Sequence, residues 1–291
     1  TLTVPRIPFQ DEDGPAYSEL HVVDVDDGIS RPYVTGAVNV SRPAWTPDGE
    51  AIAFTAQRGE DEQAALWVIP LEGGEARKVL APATGVGVFS FSPGGDRVAF
   101  LAEEVEDPAE KALQEKGFQA RIYEEQLPFT RVWIASLDPL RRETTTEARR
   151  LDLEGEPTLL RWSPVDDRLA LALAPTPLVD DEYMKRKVHV VDADSGEILA
   201  VLDNPGKLGG LEWSPDGTHL ALLSGHDLHD PSAGRLLVAP AAGGELTDVL
   251  PSLFETGEVE SFAWRDDESL VYTASVGVYS QVGRVDREGA E

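Results

Sequence analysis

The chain contains 291 residues, of which 41% are hydrophobic and 27% are charged, so it can bury the core of an ordinary globular protein. The absence of cysteine excludes disulfides, thiolate metal sites and cysteine nucleophiles. A formal net charge of −28 repels phosphate groups, and no apolar run reaches the roughly 18 residues of a membrane span, so we expect neither nucleic acid nor a membrane as a partner. The first residues lack the pattern of a signal peptide, and we expect a cytoplasmic location.

The first predicted elements are three strand-like segments at residues 2–4, 19–25 and 30–34. The segment Asp24–Gly28 has the carboxylates of a calcium loop but lacks the distal glutamate, and it lies where a hairpin needs a turn. We therefore interpret it as a turn, and residues 1–36 as the last three strands of an incomplete four-stranded unit.

Residues 37–81 form the first complete unit, which contains the motif Trp45-Thr46-Pro47-Asp48-Gly49. In such a motif proline fixes its own φ, the aspartate bonds nearby backbone and glycine supplies a positive φ, which together predict a hairpin. A third strand is predicted at residues 66–69, and a fourth follows the Gly73-Gly74 turn at residues 77–80.

The motif recurs along the chain, and its aromatic anchors fall at positions 45, 91, 162, 213 and 264. Apart from one longer interval, the anchors are separated by roughly 50 residues. This spacing is the period of propeller blades. The later units comprise residues 82–152, 153–203, 204–251 and an incomplete one at 252–291.

Four strands in each unit, repeated radially, predict an all-β chain that forms a single β-propeller domain with six visible blades. A β-sandwich of unrelated hairpins is the alternative, but unrelated hairpins have no reason to share one motif. The two terminal blades are incomplete, so either the N-terminal segment closes the last blade or the chain is a piece of a longer, seven-bladed propeller. We favour the longer protein.

A helical insertion is predicted at residues 103–128, within the third blade. Asp107 can cap a helix, Pro108 suits its first position and Gly117 ends it. The stretch that follows, residues 121–131, alternates guanidinium, aromatic and carboxylate groups that could bind a charged peptide end. The alternative is a solvated loop whose charges pair with one another.

Catalytic signatures are absent from the sequence. It contains no Gly-x-Ser-x-Gly elbow, no His-Glu-x-x-His, no P-loop and no Gly-x-Gly-x-x-Gly, so we expect no catalytic residue and no cofactor. Residues 226–230, His-Asp-Leu-His-Asp, have metal-ligating groups, but we interpret them as a polar loop and expect no metal site.

The repeated Trp-Ser-Pro-Asp-Gly-x-x-Leu-Ala-Leu pattern, with Leu-Trp-Val strands and Gly-Gly-Glu turns at 73–75 and 243–245, resembles the propeller of prolyl oligopeptidase-family serine peptidases. The acylaminoacyl peptidase branch is the most similar, on the layout of residues 17–24 and 42–49. Residues 121–127 are similar to the segment that joins the second and third strands of a later blade. TolB-type propellers share the Trp-Ser-Pro-Asp-Gly element, so that element alone indicates a broad superfamily.

This resemblance implies a propeller that precedes an α/β-hydrolase domain, covers its active site and admits only short peptides. Some relatives bind the charged end of the substrate with propeller residues, and the candidates for that role here are Arg121, Glu124, Glu125 and Arg131. The hydrolase domain and its catalytic triad are absent from these 291 residues. The implied partners are short peptides and the hydrolase domain of the same parent protein, with self-association left open.

Two alternatives to the peptidase hypothesis are kept. The first is a free-standing, TolB-like propeller that binds other proteins. The second is a metal-dependent propeller hydrolase that uses carboxylates in its central tunnel.

Overall fold

A computed structural model of the chain describes residues 2–6, 17–105, 108–118, 120, 127–137, 144–230 and 232–289. These residues form 22 strands in six antiparallel sheets, with two short α-helices and one 3₁₀ turn. The sheets are the blades of a β-propeller, which confirms the predicted fold class. The chain divides into two compact units, residues 1–105 with 133–149 and residues 106–132 with 150–291.

The first unit contains a three-stranded sheet and a four-stranded sheet. The three-stranded sheet has the order β1 (Leu2–Arg6), β2 (Tyr17–Val23), β3 (Ser30–Val34). The four-stranded sheet has the order β4 (Ser41–Trp45), β5 (Ala51–Ala56), β6 (Ala65–Pro70), β7 (Arg77–Leu80). A further sheet consists of β8 (Phe89–Phe91), β9 (Arg97–Glu103), β10 (Thr130–Ser136) and β11 (Arg149–Arg150). Two of the divisions between the compact units, at residues 132/133 and 149/150, fall within β10 and β11.

The second unit contains helix α1 (Pro108–Glu115) and three sheets. The first of these is formed by β12 (Glu156–Trp162), β13 (Arg168–Ala174), β14 (Lys187–Asp192) and β15 (Ile198–Leu202), with helix α2 (Val179–Met184) between β13 and β14. The next is formed by β16 (Leu208–Trp213), β17 (His219–Ser224), β18 (Arg235–Pro240) and β19 (Thr247–Asp248). The last is three-stranded, with β20 (Gly257–Trp264), β21 (Ser269–Val276) and β22 (Tyr279–Asp286).

The recurring motif forms a hairpin turn through its side chains as well as its backbone. In the 213–217 copy, the N–H of Gly217 donates to the carbonyl of Ser214 (2.9 Å), and Gly217 has a φ of +67°. The buried Ser214 hydroxyl donates to Asp216 Oδ1 (2.6 Å) and accepts the N–H of His219 (2.9 Å). The hydroxyl thus ties the turn to both strands, which explains why serine or threonine follows the aromatic anchor in four of the five copies of the motif.

The anchor tryptophans link neighbouring blades of the second unit. The indole N–H of Trp213 donates to the carbonyl of Arg161 (3.1 Å), and that of Trp264 donates to the carbonyl of Glu212 (3.3 Å). Each bond joins the first strand of one blade to the first strand of the preceding blade. An indole N–H removed from water needs such a partner, and in these two blades the carbonyl of the preceding blade supplies it.

The second strand of each complete blade is almost wholly buried, because both of its faces pack within the protein. Its residues alternate in size, as in β13, where leucine and alanine alternate. Ala170 and Ala172 of β13 belong to the same core cluster as Leu220 and Leu222 of β17. Small side chains on one blade therefore pack against large side chains on the next.

The structure tests two local predictions. Asp24–Gly28 forms a turn between β2 and β3, in which Asp24 Oδ1 accepts the N–H of Asp26 (3.0 Å). Helix α1 begins at Pro108 as predicted, and Gly117, with a φ of +92°, follows its end; Asp107 lies outside the described residues. Helix α2 is an additional helix that the sequence did not predict, because at six residues it is too short to show a helical repeat.

Candidate functional site

The ends of the blades opposite the Pro-Asp-Gly turns have the more varied connections. Strands β9 and β10 are joined by residues 104–129, strands β13 and β14 by a segment that includes α2, and strands β17 and β18 by residues 225–234. Loops on a rigid β scaffold are where binding groups are usually placed, whereas tight turns leave little room for them. In the second unit, charged side chains gather next to α2, and we call Arg131, Glu156, Asp181, Lys185 and Arg186 the charged cluster.

Of the four residues predicted from the sequence, only Arg131 is described; Arg121, Glu124 and Glu125 lie outside the described residues. Arg131 is half-buried at the start of β10, where its Nη1 donates to the carbonyl of Gly155 (2.8 Å). Its guanidinium carbon lies 4.4 Å from the centroid of the Phe129 ring. These contacts hold the guanidinium in one orientation, as a binding group requires.

Position 155, whose carbonyl accepts the hydrogen bond from Arg131, has room only for glycine. Its φ is +94°, and a Cβ atom at this position would lie 2.6 Å from the carbonyl oxygen of Ala174. The glycine therefore permits the backbone path that turns its carbonyl towards Arg131.

Glu156 is the buried acid of the charged cluster, with 4% of its surface exposed. Its Oε2 accepts the N–H of Thr130 (2.8 Å). Burial raises the pKa of Glu156, and the nearby carboxylate of Glu182 adds to this effect, while Thr130 and Arg131 oppose it. Glu156 is therefore an acid whose charge depends on the groups placed beside it.

Helix α2 and the residues after it supply the rest of the charged cluster. The buried Asp181 accepts a hydrogen bond from the Thr176 hydroxyl (2.7 Å) and pairs with Lys185 (2.6 Å), which lowers the pKa of Asp181. Arg186 donates to the Thr158 hydroxyl (3.3 Å) and to the carbonyl of Leu208 (2.5 Å). Burial lowers the pKa of Arg186, and its Nε has no hydrogen-bond partner among the described residues.

Chemically, the charged cluster combines oriented guanidinium groups with partly desolvated carboxylates. Such a set can bind a charged group, because guanidinium pairs with carboxylate and carboxylate pairs with ammonium. The sequence analysis missed Glu156, Asp181 and Arg186. No spacing distinguishes them among 53 acidic and 25 basic residues, and only the fold brings them together.

A second arrangement that the sequence did not reveal lies in the first blade. His21 Nδ1 lies 3.0 Å from the Ser30 hydroxyl, and its Nε2 lies 3.5 Å from Glu19 Oε2. Glu19 also accepts the N–H of Gly36 (3.0 Å). Since Glu19 and His21 are buried residues of β2, which pairs with β3, we interpret this chain of hydrogen bonds as support for the sheet.

The 226–230 segment forms a polar loop between β17 and β18. Asp227 Oδ1 accepts the N–H groups of His229 (2.7 Å) and Asp230 (3.1 Å), and Asp230 Oδ2 accepts the N–H of His226 (2.8 Å). The carboxylates therefore stabilise the loop itself. In the described part of the chain, no three histidine or acidic side chains come together in a way that could hold a metal ion.

No protein-family model matches the sequence, and no curated protein matches it. Solved structures do match. TolB from Acinetobacter baumannii has a TM-score of 0.60 and 18% identity over 94% of this chain and 58% of that chain. Acylaminoacyl peptidase from Pyrococcus horikoshii has a TM-score of 0.65 and 15% identity over 99% of this chain and 43% of that chain. The β-propeller domain of the Trilobed protease from Pyrococcus furiosus has a TM-score of 0.60 and 14% identity over 97% of this chain and 77% of that one.

These likenesses show the fold, a β-propeller of the kind found in TolB and in peptidases. This chain spans little more than half the length of TolB and less than half the length of the acylaminoacyl peptidase. Among the described residues, no helix is both long enough and apolar enough to cross a membrane.

Proposed function

We propose that this chain is the non-catalytic propeller of a serine peptidase of the acylaminoacyl or oligopeptidase type. In this proposal it screens short peptides for a separate α/β-hydrolase domain of the same parent protein. The observation that carries the proposal is the match of 99% of the chain to 43% of an acylaminoacyl peptidase, the share expected of one domain of a larger enzyme. The match to a protease propeller domain supports it.

The charged cluster gives the proposal a chemical basis. A short peptide carries charge at a free end, and an acylated peptide lacks the positive one. Arg131 is fixed by Gly155 and Phe129, so it can pair with a carboxylate at small entropic cost. Glu156 and the acids of α2 offer partners for an ammonium group.

The test uses the parent protein, once its reading frame has been followed beyond Glu291. We expect a Gly-x-Ser-x-Gly elbow within the next roughly 300 residues, since a single domain rarely grows beyond about 250–300 residues. The complete protein should then hydrolyse an acylated dipeptide but not a 30-residue peptide that ends in the same acylated dipeptide. Equal rates on both substrates would contradict screening by size.

The alternative is a free-standing, TolB-like propeller that binds proteins, and the match to 58% of TolB supports it. A stop codon soon after Glu291, together with stoichiometric capture of one protein by the purified chain, would favour this alternative over the peptidase. Metal analysis of the pure chain tests the third hypothesis, a metal-dependent hydrolase, which requires a stoichiometric ion.

A further inference from the structure

The first unit contains a cleft that the proposed function does not use. Its volume is about 570 Å³, which falls within the range of sites for small organic ligands. One side is formed by the end of β3, and the other by β6 and the connections that flank β6. The residues that matter for its chemistry are Tyr33, Arg58, Trp67, Ile69 and Glu75.

Trp67 forms a flat apolar wall of the cleft and is held in place. Its indole N–H donates to the carbonyl of Ala56 (3.1 Å), so the ring has a fixed orientation. The Arg58 guanidinium lies over this ring, with its carbon 4.7 Å from the ring centroid. Stacking on an aromatic ring orients a guanidinium while leaving its in-plane N–H groups available to a ligand.

Arg58 has no side-chain hydrogen bond and no ion pair among the described residues, although the chain has about twice as many acids as bases. Asp61, three residues further along the chain, pairs with Lys78 and accepts the backbone N–H of Arg58 (3.5 Å). A half-buried guanidinium that faces a cleft and lacks a carboxylate partner in the described part of the chain is suited to an external anion.

The remaining lining defines the rest of the ligand. The Tyr33 hydroxyl donates to the carbonyl of Leu71 (2.9 Å), so the cleft meets mainly its ring, and Ile69 adds an aliphatic surface. The exposed Glu75 repels a second negative charge, and the net charge of −28 disfavours a doubly charged phosphate. A planar carboxylate matches the paired N–H groups of a guanidinium.

We propose that this cleft binds a small monocarboxylate with an apolar or aromatic side group, the carboxylate on Arg58 and the side group against Trp67. The ligand is either a free acid or the carboxyl end of a short peptide. The site is formed by residues outside the charged cluster and does not depend on the existence of a hydrolase domain.

Isothermal titration of the 291-residue chain with N-acetylphenylalanine and with its carboxamide tests the proposal. We expect the acid to bind at least tenfold more tightly than the amide, and Arg58→Gln to remove this preference. Arg77→Gln is the matched control, because Arg77 is an exposed arginine of β7 that does not line the cleft and its loss changes the net charge equally. Circular dichroism melts of each variant establish that it is folded.

Three results would overturn the site: no binding of the acid at millimolar concentration, equal binding of acid and amide, or an undiminished preference in folded Arg58→Gln. The tripeptide Ala-Ala-Phe distinguishes the two sources of the carboxylate. If the tripeptide binds more tightly than N-acetylphenylalanine, the ligand of the cleft is the carboxyl end of a peptide. If it binds equally or more weakly, the ligand is a free acid.

Discussion

The hydroxyl group of Ser214, directly after the aromatic anchor Trp213, holds a turn and two strands together. Ser214 is fully buried, and without its hydroxyl the N–H of His219 would lose its acceptor. The sequence predicts the turn from proline, aspartate and glycine, but it does not predict this role of serine, because the bond to His219 spans the hairpin and exists only once both strands are formed.

Substitution of Ser214 by alanine should therefore destabilise the chain. We expect a loss of about 1–3 kcal/mol, the cost of leaving a buried donor unsatisfied. Urea unfolding of the variant and the wild type measures this loss. Ser252→Ala, at an exposed serine outside the motif, is the control, and an equal effect of the two substitutions would contradict the assigned role.

The same hydroxyl controls the acidity of a neighbouring carboxyl. The hydrogen bond from Ser214 and that from the Thr218 backbone lower the pKa of Asp216 from 3.8 to about 2. Because the folded pKa is the lower one, this carboxylate contributes its full stabilisation above about pH 4, and the contribution is lost as the pH falls towards about 2.

In Ser214→Ala we expect the pKa of Asp216 to rise towards 3.8, so less stability should be lost between these two pH values. An NMR titration of the Asp216 carboxyl measures the pKa directly. Asp216→Asn, which cannot titrate, shows how much of the acid dependence comes from other groups. An unchanged pKa in the serine variant would refute the connection.

The second strands of the blades show how sequence alternation becomes packing between elements. Their apolar patterns predict strands, and the structure confirms them. The patterns do not state which face meets which neighbour, since that depends on the radial arrangement of the sheets. Helix α2 was not predicted for a related reason: its six residues gain their order from contacts such as the one between Thr176 and Asp181.

The complementarity of small and large side chains can be tested by exchanging two of them. We expect Ala172→Leu to destabilise the chain by about 1–3 kcal/mol through overpacking. Leu222→Ala should cost about 2–5 kcal/mol through a cavity. Because both residues belong to one core cluster, the double variant should lose less than the sum, as measured by chemical unfolding. Strict additivity would mean that the two positions do not interact.

For the molecule as a whole, the fold was predictable because one motif recurs with the period of a blade. The candidate site was predictable only in part. The sequence singled out Arg131, whereas Glu156 and Arg186 join it from distant positions through the arrangement of strands and α2.

In the complete enzyme that we propose, Arg131→Ala should change the preference for peptide ends. We expect KM to rise about tenfold or more for peptides with a free carboxyl end, because a charge-assisted pair of about 1.5–3 kcal/mol is lost. For amidated peptides KM should change little. Arg131→Lys, which keeps the charge but not the two-pronged geometry, should lie in between. Steady-state kinetics on matched peptide pairs measures the effect, and proportional changes for both kinds of peptide would exclude this role.

The hydrogen bonds of the anchor indoles have a consequence for the newly synthesised chain. The carbonyl of Glu212 receives its indole partner from Trp264, 52 positions later, so a blade that has left the ribosome still lacks one of its bonds. At the usual rate of translation this delay lasts about 3–10 s, long compared with the formation of a hairpin. The sheet of β16–β19 therefore emerges from the ribosome as an unfinished unit, and it is completed only by the arrival of β20.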